Sequence, residues 1–295
     1  MKKYRGIIFI IPVIILILFI ILFPIITMLS NSFRNVRFGF EKNPAFVGLK
    51  NYSELFNDPV FISSIGKSFL WTFENLLIQL SIPLFIALLL NKDKKFYRFV
   101  RSIILIPWIL PMVVVSIVWR WLLEPNIGYV NYLIKSFNLP GVNFLGSTSL
   151  TFHILVLINS WHFIPFGTIL MLAALSTIPN DLYDAAKVDG ANSFQRLVHI
   201  TFPLIGKIVW FVGLLAFMWS FNTFDLIWLT TQGGPANSTM TMPTYIYKLA
   251  FKSYEAGKAS AAALVSTLIL ITVAVIYFVI FTPKEQRRLK IAKSQ

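Results

Sequence analysis

Two apolar stretches hold the residues best suited to chemistry. One reads Asn159-Ser160-Trp161-His162-Phe163-Ile164-Pro165. The other reads Trp219-Ser220-Phe221-Asn222-Thr223-Phe224-Asp225, with Trp228 just beyond. Amides and hydroxyls beside flat aromatic faces suit a carbohydrate, whose hydroxyls need hydrogen-bond partners and whose C–H faces stack on rings. The same residue types have plainer uses: Trp belongs to the interfacial belt of a membrane protein, and Asn and Ser hold helices together. For any single residue the plainer account carries more weight. Ionisable residues are sparse in the apolar stretches. Glu74 is the clearest, and a hydrogen bond to a neighbour such as Asn75 or Gln79 is expected of it ahead of a direct part in transport. Arg120 and Asp225 lie near helix ends from which a charged head reaches water.

Other chemistry is excluded by spacing. The chain has no cysteine, which removes disulfides, Cys-based zinc sites and thiol catalysis. Gly66-Lys67-Ser68 looks like the end of a phosphate-binding loop, but Phe61 stands where that loop needs glycine. His153, His162 and His199 do not form a metal-binding pair with a nearby Glu, and there is no nucleophile elbow. No catalytic residue, metal site or bound cofactor is expected in this chain.

The elements that position these residues follow from composition. Of 295 residues 57% are hydrophobic and 13% charged, far below the quarter or so of a soluble domain. The chain is expected to be all-α and polytopic, one transmembrane domain over residues 1–295 with six spans at about 7–29, 63–90, 103–123, 150–175, 204–230 and 258–281. The first run is too long for a signal-peptide core and reads as a span. Net charge +14 suggests cationic loops facing anionic lipid rather than nucleic acid. With the N-terminus inside, sixteen of the 26 Lys and Arg fall on cytoplasmic segments, including the clusters at 92–101 and 284–293. Six spans then place both termini, and residues 176–203, in the cytoplasm.

That cytoplasmic segment is a polar island: Tyr183-Asp184-Ala185-Ala186-Lys187-Val188-Asp189-Gly190-Ala191, running on to Ile200-Thr201-Phe202-Pro203. It is too rich in charge and turn formers for lipid. It reads as two short helices with a bend. Pro179 suits the first turn, Gly190 a left-handed helix end, Asn192 or Ser193 the second cap, and Pro203 the close. The alanines leave a surface that a partner can approach closely.

The island resembles the EAA loop of the permease subunits of binding-protein-dependent ABC importers. Ala185, Ala186, Asp189, Gly190, Ala191, Ile200 and Pro203 match that pattern; Asp184 replaces its Glu, Leu197 its Phe, and Phe202 the Leu before the proline. The resemblance implies a type I ABC importer permease fold and an ATPase-docking role for Asp184, Ala185, Ala186, Asp189, Gly190 and Ala191. It implies a second homologous permease, two ATPase subunits that bind ATP and magnesium, an extracytoplasmic solute-binding protein, and a bacterial or archaeal inner membrane. Asn-x-Trp before a proline, and Phe-Asn-x-Phe followed by Gly233-Gly234-Pro235, resemble maltose-type and glycerol-phosphate-type permeases. Carried over by position, Asn159, His162, Phe163, Trp219, Asn222, Thr223 and Trp228 are expected along the pathway of a di- or oligosaccharide. Phe163 stands where a glycine would be more open. Two alternatives remain: a permease for a polyol phosphate, against which the lining lacks a Lys or Arg pair, and an ion-coupled transporter using Glu74 and Asp225, against which no inverted repeat is visible.

Overall fold

The computed structural model describes residues 5–37, 44–92 and 94–281. The expected basic ends, Lys2, Lys3 and the cluster at 284–293, lie outside the described residues. In chain order the helices are α1 (Arg5–Ser32), α2 (Lys50–Phe56), α3 (Pro59–Leu90), α4 (Lys95–Ile104), α5 (Ile106–Ile109), α6 (Met112–Leu122), α7 (Tyr129–Ser136) and α8 (Leu150–Ser176). They continue with α9 (Asn180–Val188), α10 (Ser193–Arg196), α11 (Phe202–Phe221), α12 (Asp225–Thr230), α13 (Met242–Phe251) and α14 (Ala256–Phe281). Among the described residues the only β pairing is an isolated bridge between Arg34 and Phe46. Five helical stretches are long and apolar enough to cross a membrane, and a bent pair makes a sixth.

That pair corrects the third expected span. Residues 103–123 are not one helix: Lys95–Ile109 and Met112–Leu122 meet at 87°. Pro111 supplies no N–H and pushes the residue before it out of the helical region, so Leu110 is extended, with ψ 131°. Pro165 in α8 and Pro83 in α3 lie inside continuous helices.

The described residues form two compact units: the segment up to Ile65 together with Met242–Leu270, and Gly66–Thr241 with the remainder. In the first, Asn51 is buried and donates from Nδ2 to the carbonyls of Ser32 (2.8 Å) and Arg34 (3.0 Å). Gly257 lies against the same strand-like segment, where a Cβ would come 2.3 Å from the Arg34 carbonyl. Lys258 is held by Glu54 (2.8 Å) and Glu255 (3.2 Å). The Lys258 hydrogen bond holds the Glu54 carboxyl below its usual range. Asp58 caps α3 by accepting from the Val60 N–H at 2.8 Å, and its other oxygen accepts from the Tyr245 hydroxyl at 2.5 Å. Burial, together with that carboxylate, pushes the Tyr245 phenol upward.

In the second unit α8 is the central helix, with over half of its apolar window buried. Trp71, Phe152, Leu155, Val156, Leu226 and Ile227 belong to one apolar cluster, and Ala87, Met171, Leu175, Ile178, Ile205 and Val212 to another. Gly167 lets α8 approach α3 closely: a Cβ there would sit 3.0 Å from the Pro83 ring. Lys67 lies inside continuous α3 and donates to the Asn237 carbonyl at 2.6 Å, so Gly66-Lys67-Ser68 forms no phosphate loop. Arg101 donates to the Leu90 carbonyl at 2.6 Å, a cation on the exposed carbonyls of a helix C-terminus.

Candidate functional site

Two features of the second unit bear on function. The first is the polar island. α9 ends on Gly190, whose φ of +79° is the left-handed conformation expected there. The Ala191 N–H reaches back to the Ala186 carbonyl at 2.8 Å, closing the helix end. Asn192 is the second cap, and forms a full capping box: it accepts from the Gln195 N–H (2.9 Å) while Gln195 accepts from the Asn192 N–H (2.8 Å). Arg196 ties the bend by donating to the Ala191 carbonyl (2.8 Å) and Ser193 Oγ (3.1 Å). Pro179 is the residue before α9 rather than in its first turn.

Pro203 does not close the second piece. The chain runs through a π-helical turn, Leu197–Thr201, directly into α11, with Pro203 in the first turn of that helix. The Phe202 N–H reaches back to the Leu197 carbonyl across the π turn, and Pro203, which has no N–H, makes no such bond. Tyr183 and Thr201 join the two arms through their hydroxyls at 2.9 Å.

The island is exposed. Val188 is 89% and Phe194 72% exposed. Ala186, Asp189, Gly190 and Ala191 line a hollow of about 350 Å³ with Gln195, Arg196, His199 and Ile200. Ala185 is exposed, and Asp184 pairs with Lys187 at 2.6 Å; neither lines that hollow.

The second feature is a cavity of about 350 Å³ at mid-span, lined by Gln79, Trp108, Met112, Asn159, His162, Phe163, Trp219, Ser220 and Thr223. It brings together five of the seven expected pathway residues. Asn222 and Trp228 are not among its lining. Asn222 ends α11, donating to the Met218 carbonyl at 2.9 Å, and Trp228 stacks on Phe224 at 5.8 Å. Phe163 and Trp219 meet edge to face at 5.8 Å. Phe166 bridges Trp219 (5.1 Å) and Trp108 (5.0 Å), so three helical segments share one aromatic wall.

Four lining residues were not among those expected along the pathway: Gln79, Trp108, Met112 and Ser220, the last of them inside a stretch singled out from the sequence. Gln79 was visible as a polar residue in an apolar span. Trp108 was visible between two prolines, but only the 87° bend turns its segment toward α8. The expectation for Glu74 is also corrected. Its partner is His153 on α8, at 2.9 Å, rather than Asn75 or Gln79. Asn75 is one residue away and on a different face of the helix. Asn75 and Gln79 serve a separate buried network that reaches α8 and α11. Arg120 donates to the Leu229 carbonyl at 3.5 Å.

Five or six apolar spans, a cavity lined by polar and aromatic side chains among them and a capped, exposed polar loop give this chain the architecture of a membrane permease. The chain belongs to the family of binding-protein-dependent transport system inner membrane components, whose family model matches residues 79–287. A probable ABC transporter permease protein of Brucella suis is 35% identical, over 94% of this chain and 96% of that one. The trehalose/maltose transport system permease protein MalF of Thermococcus litoralis is 32% identical, over 92% of each chain. The fold matches that of a chain in a bacterial ABC transporter involved in the import of the acidic polysaccharide alginate, with a TM-score of 0.83, 24% identity and 94% of each chain covered. A chain of a bacterial alginate ABC transporter in complex with an alginate pentasaccharide-bound periplasmic protein matches with a TM-score of 0.83 and 23% identity, over 94% of this chain and 93% of that one.

Proposed function

We propose that this chain is the permease subunit of an ATP-driven importer that carries a di- or oligosaccharide. An extracytoplasmic binding protein delivers the sugar. A second, homologous permease completes the pathway, and two ATPase subunits bind ATP and magnesium beneath it. Both termini and the 176–203 loop face the cytoplasm. The observation that carries the reading is the cavity itself: aromatic faces beside amide and hydroxyl groups, in a chain whose relative over 92% of its length is named for trehalose and maltose.

The coupling role falls to the loop. Its caps and the Arg196 tie stiffen it, Tyr183 and Ile200 pack it against the core cluster, and Val188 and Phe194 stand out from it among charged and polar side chains. A stiff projection is what a moving ATPase needs in order to shift the spanning helices as one piece. ATP binding closes the ATPase pair, the docked loops move together, and the outer gate opens.

Co-purification tests the assignment. The tagged subunit, extracted gently from its native membrane, is expected to bring a second permease and an ATPase, with hydrolysis stimulated by a sugar-loaded binding protein. A subunit that purifies alone and moves solute down an ion gradient would overturn it. Gly190→Pro is expected to abolish uptake while the complex still assembles, because proline cannot adopt a positive φ. Normal uptake in that variant would remove the loop from coupling.

A further inference from the structure

The polarity of the amide groups in the cavity wall can be traced from one backbone carbonyl. The Trp71 carbonyl can only accept. Asn75 Nδ2 lies 2.8 Å from it, so the amino group of Asn75 is fixed on that side and its oxygen on the other. Asn75 is completely buried. Whatever meets its oxygen must donate, and three groups do: Asn159 Nδ2 at 2.7 Å, Gln79 Nε2 at 3.0 Å and Ser160 Oγ at 3.0 Å. Asn159 therefore turns its amino group away and leaves its carbonyl oxygen as the free end of a cavity-lining side chain. Gln79 turns its carbonyl to the Ser220 hydroxyl, which donates to it at 3.2 Å.

The other lining groups have the same sense. The Ser220 proton goes to Gln79, and the Thr223 proton goes to the Trp219 carbonyl at 3.1 Å, so both hydroxyls offer only lone pairs. The Leu110 carbonyl, left free by the bend at Pro111, can only accept, so His162 donates to it from Nε2 at 3.0 Å. The donors are the second amide hydrogens of Gln79 and Asn159 and the indole N–H groups of Trp108 and Trp219. No Lys, Arg, Asp or Glu is among the lining residues.

We infer that Asn75 is a positioning residue that turns the Asn159 carbonyl into this cavity as an acceptor for a hydroxyl, and that the part of the substrate it takes is uncharged and rich in hydroxyls. An acidic sugar is refused here, because a carboxylate would face the lone pairs of Asn159, Ser220 and Thr223 with no Lys or Arg to meet it. This rests on the importer reading above and narrows its substrate class.

The test uses the complete complex in lipid, with its binding protein, and reads ligand-stimulated ATP hydrolysis. The ligands are maltose, trehalose, maltotriose and arabinotriose, with trimannuronate and trigalacturonate as acidic counterparts. Neutral sugars are expected to stimulate and the uronates not. For the best sugar, Asn75→Leu frees the Asn159 amide to turn, and the apparent KM is expected to rise about tenfold with kcat little changed, because a polar group built to receive a hydroxyl is no longer aimed at it. Asn75→Asp is expected to restore the KM. Its protonated form donates to Trp71 and accepts from Asn159, reproducing the original polarity. A merely structural role would not follow that pattern. Stimulation by uronates as strong as by neutral sugars overturns the inference and leaves the importer standing. So does an assembled Asn75→Leu complex with unchanged KM. If that variant does not assemble, Asn159→Leu decides, since it removes the acceptor itself, and an unchanged KM there is equally fatal. An active ATPase that no sugar stimulates overturns the sugar reading and this inference with it.

Discussion

Gly190 and Gly257 are both constrained, by different forces. At Gly190 the space is open and only the positive φ demands glycine. Gly190→Ala is expected to cost about 1–2 kcal/mol, confined to the loop end. Uptake should fall while the melting temperature of the whole complex hardly moves, which paired transport and thermal-unfolding measurements would check. At Gly257 the constraint is contact, because an added Cβ meets a backbone carbonyl at 2.3 Å and the Val36 N–H at 3.1 Å. Gly257→Ala should lower the melting temperature outright. Gly190 was legible in the sequence, since a glycine after a short alanine-rich helix reads as a helix end. Gly257 was not, since what it touches lies more than two hundred residues away in the chain. Tyr245→Phe removes the hydroxyl that donates to Asp58, with an expected loss of about 1.5–3 kcal/mol for a hydrogen bond to a charged acceptor. Thermal unfolding of the variant measures it.

Prolines show what elements add to residues. Pro111 breaks the third span at 87°, Pro165 and Pro83 sit within long helices, and Pro203 follows directly on a π-helical turn. The residue is the same in each case, and its effect depends on which N–H it removes and on whether neighbours fix the break. His162 fixes the break at Pro111 by donating to the freed Leu110 carbonyl. The π-helical turn Leu197–Thr201 sets the rotation of α10 relative to α11. One alanine inserted after Val198 exceeds what the turn absorbs and should rotate the loop by about 100° around the helix axis. The complex is expected to hydrolyse ATP with sugar uptake lost; intact uptake would show that the turn's register does not matter. Nothing in the hydrophobic pattern of Leu197-Val198-His199-Ile200-Thr201 distinguishes a π turn from an α turn.

For the whole molecule, the chain's lack of cysteine makes orientation directly measurable. Val188→Cys is expected to react with an impermeant thiol reagent only from the cytoplasmic side, and Tyr132→Cys only from outside. The reverse pattern would invert the topology. The Glu54–Lys258–Glu255 cluster adds a pH dependence. The Glu54 carboxyl titrates lower when folded than unfolded, so its contribution is present above the ordinary carboxylate range and is lost as the pH falls through the folded value. Thermal stability of the wild type should fall on acidification, with a smaller fall in Lys258→Met. The residues of α1, at 13–29, expose large apolar side chains along almost their whole length, which suits lipid or a partner helix.

Composition and hydropathy alone determined that this is a multi-span helical protein, because lipid admits no other pattern from such runs. The spacing of Asp184, Ala185, Ala186, Asp189, Gly190 and Ala191 determined the shape of the loop, because capping and left-handed turns are local physics. The tertiary structure alone decided which residues share the cavity. Asn159 and Trp219 were legible from their composition, but Gln79 and Trp108 joined them only when α3 and the broken third span packed against α8 and α11. It also decided that Asn222 and Trp228 lie outside the lining, and that Asn75 directs the amides around it. A donor or acceptor acquires its direction from its partner, and a partner on another helix is set by packing.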